Sequence, residues 1–184
     1  MSTTFPGTTI EISSIKKGSS KVLFDGIFAT GGITLSQVSI MTGLEPYLVQ
    51  NWVKRGFLSS PVNRVYSKQQ FARVAIINML RESLQIEKIC RLLQVISGEP
   101  NDRSDDLIGD DELYHRYVDM LSAEDLPLGD HNAVIRASEE AVADFKEPFA
   151  GARKQLMRIL QVMFYAHSAS KLRDTSEKIL STLE

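Results

Sequence analysis

The stretch "TLSQVSIMTGLEPYLVQNWVKRGFLSSPVNRVYSKQQ", Thr34 to Gln70, carries the densest structural signals of the chain. Its first part, "TLSQVSIMTG", reads as a short helix with Leu35, Val38 and Met41 on one face. Gly43 ends that helix, because glycine adopts the left-handed conformation cheaply. "LEPYLVQNWVKRG" reads as a second helix, with Pro46 in the first turn, where its missing N–H costs nothing, and Gly56 closing it. "FLSSPVNRVY" follows as two short extended pieces around Pro61 and Asn63, a compact turn or hairpin. Ser67 and Gln70 have the spacing of a capping box that opens a third helix.

The second helix carries the functional question. With Tyr47 set at 0°, Leu48, Trp52, Val49 and Val53 fall at about 100°, 140°, 200° and 240°. Gln50, Lys54, Asn51 and Arg55 fall at about 300°, 340°, 40° and 80°, on either side of Tyr47. One arc is apolar and holds the only tryptophan of the chain; the other is polar, basic or phenolic, with no acid. Trp52 is therefore expected in the core, and the opposite arc is the candidate for recognition. Gln50 and Asn51 carry the donor–acceptor pairs that read adenine edges. Lys54, Arg55 and Tyr47 suit phosphates. An ordinary solvated helix face has the same residue types, so the arc alone does not decide the matter.

Outward from this stretch, "FARVAIINMLRES" is apolar on most sides and is predicted as the central buried helix. "IEKICRLLQVI" sets Ile86, Ile89, Leu93 and Ile96 on one face before Gly98 and Pro100 stop it. Residues 1–30 read as a flexible arm with a short lead-in segment. Residues 31–98 read as the recognition domain and 99–110 as an acidic linker. Residues 111–184 read as a C-terminal helical region for dimerisation or effector binding. In that region "DELYHRYVDML" aligns Leu113, Tyr114, Tyr117, Val118 and Leu121, and "HNAVIRASEEAVADF" ends before Pro148. A long helix from Phe149 to about Ser170 carries Leu156, Ile159, Leu160, Met163 and Ala166. A separate last helix groups Leu172, Ile179, Leu180 and Leu183. The long helix shows no clean heptad through Ser168 and Ser170. Tyr114, Tyr117, Phe164 and Tyr165 read as core aromatics or, alternatively, as liners of an effector pocket.

The 184 residues are 43% hydrophobic and 24% charged, an ordinary globular balance. The single cysteine, Cys90, leaves no internal disulfide and no cysteine cluster for zinc. It reads as a small core residue. No apolar run approaches the roughly 18 residues of a membrane span, so a soluble cytoplasmic protein is expected, without a membrane partner. Residues 1–98 hold 11 Lys and Arg against 5 Asp and Glu, a net of +6, which leaves −8 for the rest of a chain with net charge −2. That split suits a first half that meets a polyanion. His115, His131 and His167 lack metal-ligand spacing. Asp105, Asp106, Asp110, Asp111 and Glu112 do not match a calcium loop and read as favourable charges at a helix start. Neither a phosphate loop nor a nucleophile motif is present, so no enzyme, cofactor or metal site is expected.

The order helix, glycine turn, helix, small hairpin, buried helix is the plan of a winged helix-turn-helix. At this level the chain resembles the bacterial MerR family. Thr34, Leu35, Val38, Ser39, Thr42, Gly43 and Leu44 stand where its opening helix and turn have them. The interval from Gly43 to Gly56 equals the family's glycine spacing, "RVYS" (Arg64 to Ser67) resembles the end of its wing, and "LQIEKICRLL" resembles its fourth helix. A closer resemblance is to a bacterial family catalogued as a domain of unknown function and regarded as MerR-like. It covers "GGITLSQVSIMTGLEPYLVQNWVKRGFLSSPVNRVYSKQQFARVAIINMLRESLQIEKI" and continues into "DDLIGDDELYHRYVDML". The chain departs from the MerR pattern at Gln50 and Asn51, where Arg and Tyr are usual, and in a shorter wing between Gly56 and Arg64.

The resulting expectation is a mainly all-α protein: a winged helix-turn-helix with a minimal β-hairpin wing, followed by a C-terminal helical region. Its function is expected to be that of a dimeric, DNA-binding transcriptional regulator reading the major groove of double-stranded DNA with the helix 46–55. Gln50, Asn51 and Lys54 would meet base edges, and Tyr47, Arg55 and Arg64 the backbone. The rival is a winged-helix module that binds protein and not DNA. Neither an operator nor a small-molecule effector is legible.

Overall fold

The computed structural model describes residues 3–97, 106–123, 126–127 and 129–183. The described residues are mainly helical, with two small antiparallel sheets. The elements run β1 (Thr3–Thr4), β2 (Glu11–Ile12), α1 (Ser19–Ile27), β3 (Ile33–Thr34), α2 (Leu35–Thr42), α3 (Pro46–Lys54), β4 (Val65–Tyr66), α4 (Lys68–Leu80), α5 (Ile86–Ser97), α6 (Asp110–Leu121), α7 (His131–Ala141) and α8 (Ala152–Leu180).

Local chemistry fixes the helix boundaries around the deciding stretch. Thr34 caps α2 and forms a reciprocal capping box with Gln37, as Ser67 does for α4 with Gln70. Gly43, at φ 69°, closes α2 in the left-handed region. Pro46 occupies the first turn of α3. Gln70 also reaches back from α4, its Nε2 donating to the carbonyls of Ser59 and Ser60. That ties the loop after α3 to the start of α4.

α4 is the centre of the molecule, as its composition predicts. Phe71, Ala72, Val74, Ala75, Ile76, Ile77, Met79 and Leu80 are all buried on it. It packs against α2, α5, α6 and α8. One hydrophobic cluster therefore runs from Phe24 and Trp52 through α4 to Leu113, Leu156 and Leu160. The two halves distinguished by charge share this core. Arg73 on α4 bridges them with two bonds to Asp110, at 2.9 and 3.2 Å. Asp110 thus works as a half-buried partner of Arg73; Gly109 takes the N-cap of α6. Of the expected linker 99–110, residues 99–105 lie outside the described residues, and Leu107 and Ile108 are buried.

Residues 3–30 correct the expectation of a flexible arm. β1 and β2 form a hairpin that is clasped to the body. Phe5 is buried, and the Thr9 N–H and hydroxyl donate to the carbonyls of Met41 and Ile40 at 2.9 and 2.8 Å. Asn78 Nδ2 donates to the carbonyls of Gly7 and Thr42, and the Tyr114 hydroxyl donates to Pro6. α1 follows with Phe24 fully buried, stacked on Tyr114 at 5.2 Å and close to Phe71. The anchors lie up to 108 residues away in sequence, so the weak local alternation of "TTIEISSI" carries no trace of them.

The C-terminal region holds a second correction. The long helix and the last helix are one helix, α8, continuous from Ala152 to Leu180. Leu172, Ile179, Leu180 and Leu183, expected to pack together, are exposed. The buried polar pair of this region is Tyr117 on α6 and His167 on α8, hydroxyl to Nδ1 at 2.8 Å. Burial lowers the His167 pKa to about 3, and nearby Lys171 acts in the same direction. The unfolded imidazole takes up its proton near pH 6.5, so below that pH the unfolded chain binds more protons than the folded one. Stability is therefore full above pH 6.5 and lost as pH falls toward 3. Between pH 7 and 4.5 this group alone is expected to lower the unfolding free energy by about 2.5 kcal/mol. Urea denaturation at the two pH values tests this: His167→Gln should remove about one proton from the pH dependence of stability. An unchanged dependence would contradict the assignment.

Candidate nucleic-acid interface

α3 divides as its sequence requires. Val49 and Trp52 are buried, at 0% and 4% exposure, with Leu48 and Val53 at the margin. Tyr47, Gln50, Asn51, Lys54 and Arg55 are exposed. The side chains of Tyr47, Gln50, Asn51 and Lys54 make no hydrogen bond or ion pair among the described residues. Four polar groups on one helix face thus keep their bonding capacity for something outside the chain.

The three residues Gly43, Leu44 and Glu45 join α2 to α3. After α3, Gly56 turns the chain at φ 74° and Leu58 is buried. The hairpin tip is Val62-Asn63-Arg64-Val65. Asn63 and Arg64 both have positive φ, 51° and 65°, and the Val65 N–H donates to the Val62 carbonyl at 3.0 Å. Two successive left-handed residues make the turn whose twist matches a tight hairpin, and asparagine tolerates the first position well. β4 then pairs with β3, Thr34 opposite Val65 and Ile33 opposite Tyr66. The start of α2 and the hairpin are thereby one rigid unit. Arg64 and Val62 project at its tip, both exposed. Among the described residues no hydrogen bond or ion pair joins Arg64 to α3.

Arg55 differs from its neighbours on the arc. Its Nη2 donates to Glu87 Oε1 at 3.0 Å, and its guanidinium lies 4.4 Å from the centre of the Phe57 ring. Glu87 is held below the usual carboxylate range, first by its own backbone N–H and then by Arg55. Both partners are exposed, so the pair is weak and screened by salt, and a phosphate can compete for the guanidinium. Glu87 is the residue of this surface that sequence reasoning missed. It lies 32 positions from Arg55 on a different helix, and no local pattern marks the pairing.

The aromatic residues weighed as pocket liners belong mostly to the core. Tyr114, Tyr117 and Phe164 are buried. The hydroxyls of Tyr114 and Tyr117 bond to Pro6 and His167 inside the fold. Tyr165 sits at the surface, its hydroxyl 2.6 Å from His131 Nδ1. An open apolar groove of about 280 Å³ lies elsewhere, lined by Ile27, Ile33, Gln37, Ile40 and Met41. Among the described residues no group of three His, Cys, Asp or Glu side chains gathers as metal ligands, and no helix is long and apolar enough to cross a membrane.

No curated protein and no solved structure matches this chain. One family model does, and its match begins at β3 and takes in the helix pair, the hairpin, α4 and α5. Residues 33–117, ending within α6, match the family described as a domain of unknown function, DUF1836.

Proposed function

We propose that this protein is a DNA-binding transcriptional regulator of the MerR-like, winged helix-turn-helix kind, acting in the cytoplasm as a homodimer. α3 enters the major groove of double-stranded DNA. Gln50, Asn51 and Lys54 meet base edges, and Tyr47, Arg55 and Arg64 meet phosphates. The reading is of a binding protein and not of a catalyst.

The observation that carries it is the outward face of α3: exposed, free of acid, and with four unsatisfied polar side chains. The rigid β3–β4 unit supports it by fixing a hairpin tip that bears Arg64. The Val62–Val65 turn is short, so each copy gains few backbone contacts from it, and two copies on two half-sites restore affinity. Selection of bound genomic fragments by the purified chain tests the reading. A shared sequence should be enriched, and Asn51→Ala should relax it at one base pair per half-site, about 1–3 kcal/mol in discrimination. Enrichment of nothing above bulk DNA would overturn it.

A second reading has one specific observation behind it. Arg55 is already engaged by Glu87, and the exposed apolar Val62 at the hairpin tip suits a protein partner as well as DNA. A partner captured through this face would survive nuclease treatment and be lost on changing Lys54 and Arg55.

A further inference from the structure

α5 brings an acid to the edge of the recognition face. Glu87 stands in the first turn of α5, 32 positions after Arg55. Its carboxylate has two partners. One is its own backbone N–H, a first-turn donor that the helix itself leaves unpaired, and the other is Arg55. Both hold the carboxyl below its usual range, so it is an anion at neutral pH.

Arg55 is seated from the other side. It is the C-cap of α3, and its guanidinium lies 4.4 Å from the centre of the Phe57 ring. Phe57 is itself fixed. Its N–H donates to the Trp52 carbonyl at 2.9 Å, and its carbonyl accepts from Arg73 Nη1 at 3.5 Å. The ring therefore keeps the guanidinium in one place. Glu87 takes only Nη2, at 3.0 Å; Nε and Nη1 make no hydrogen bond among the described residues. A phosphate that arrives on these remaining donors stands roughly 5–6 Å from the Glu87 carboxylate.

We propose that Glu87 is a built-in competitor of the DNA phosphate for Arg55, and that it limits the affinity of the protein for DNA. The inference rests on the DNA-binding reading and adds to it a residue that opposes binding. Two effects act in the same direction. Arg55 must leave Glu87 or share its charge with it, and an exposed pair of this kind resists displacement by up to about a fivefold factor. The carboxylate also repels the incoming phosphate. The exchange costs little at Glu87 itself, because the carboxylate keeps its own N–H and meets water when Arg55 leaves. The opposite role, a carboxylate that positions Arg55 for the phosphate, has less behind it. Phe57 already fixes the guanidinium, and one exposed bond through Nη2 adds little order. Phosphate contacts carry no sequence information, so Glu87 lowers affinity for all duplexes alike.

Fluorescence anisotropy of a mixed-sequence DNA duplex, titrated with the full chain at low salt, tests this. Glu87→Gln keeps the shape of the side chain and removes its charge, and it should tighten binding about fivefold. The gain should shrink as salt rises. In an Arg55→Ala background the same change should alter binding by less than about twofold. Glu87 is exposed, so the circular dichroism spectrum of the variant should not change. An equal gain in both backgrounds would mean general charge repulsion and would overturn the competition for Arg55. Weaker binding by Glu87→Gln would make the carboxylate a positioning group and overturn it as well. A wild type that binds the duplex no differently from Glu87→Gln removes this inference and leaves the DNA reading standing. A duplex bound by neither protein removes both.

Discussion

Trp52→Ala is expected to lower the unfolding free energy by about 3–5 kcal/mol. The indole is 4% exposed and, with Val49, docks α3 on the core. Its own backbone carbonyl also accepts from the N–H groups of Phe57 and Leu58, at 2.9 and 3.3 Å, where the chain leaves the helix. Truncation opens a cavity under the middle of α3 and loosens the platform that presents Gln50, Asn51 and Lys54. Urea denaturation followed by circular dichroism measures the cost. The same site separates two meanings of a tryptophan among cations. A stacking tryptophan would leave stability nearly unchanged, and nucleic acid would quench its fluorescence. A core tryptophan gives a large stability loss and emission that DNA does not quench. A loss under about 1 kcal/mol would contradict the placement of Trp52.

Gly7→Ala is expected to cost about 3 kcal/mol or more. Gly7 has φ 71°, and a Cβ there would stand 2.0 Å from the Ala75 carbonyl oxygen. Ala75 belongs to the buried middle of α4, so neither side can give way cheaply. Relief requires the N-terminal hairpin to lift, which breaks the bonds from Asn78 and Tyr114 and exposes Phe5. Gly18→Ala is the control. Gly18 also has positive φ, 77°, but nothing lies within 4 Å of its Cβ position. It should show backbone strain alone, about 1 kcal/mol. Equal costs at the two glycines would mean that the hairpin is not clasped as described.

These two residues also mark what the sequence does and does not reveal. Trp52 was readable because its neighbours obey one helical period, and a period is local information. The same holds for the capping box at Ser67, the glycine closing α2 and the buried α4. The hairpin at Thr3–Ile12 was not readable. Its alternation is weak, and its stability comes from Met41, Asn78 and Tyr114, far along the chain. The division of α8 at Ser170 failed for another reason. Serine lowers helix propensity only slightly, and neither glycine nor proline follows Ser170 to stop the helix. On the candidate interface, the exposure of Tyr47, Gln50, Asn51, Lys54 and Arg55 followed from the helical pattern, Arg64 was singled out by the family resemblance alone, and the Arg55–Glu87 pair followed from neither. The likeness to a family of unknown function was legible over residues 31–89 and again over 105–121, and the family match covers residues 33–117.

The salt dependence of binding to a selected DNA fragment separates phosphate contacts by α3 and the hairpin tip from a plain solvated surface. The logarithm of the association constant is followed against that of salt concentration for the wild type, Arg55→Ala and Arg64→Ala. The wild type should show a steep negative slope, and each variant should flatten it by about one unit for every subunit bound. Retained binding by Gln50→Ala, with the slope unchanged and sequence preference reduced, would complete the assignment of base and phosphate contacts. A wild-type protein whose association with DNA is absent, or independent of salt, would overturn the DNA-binding proposal.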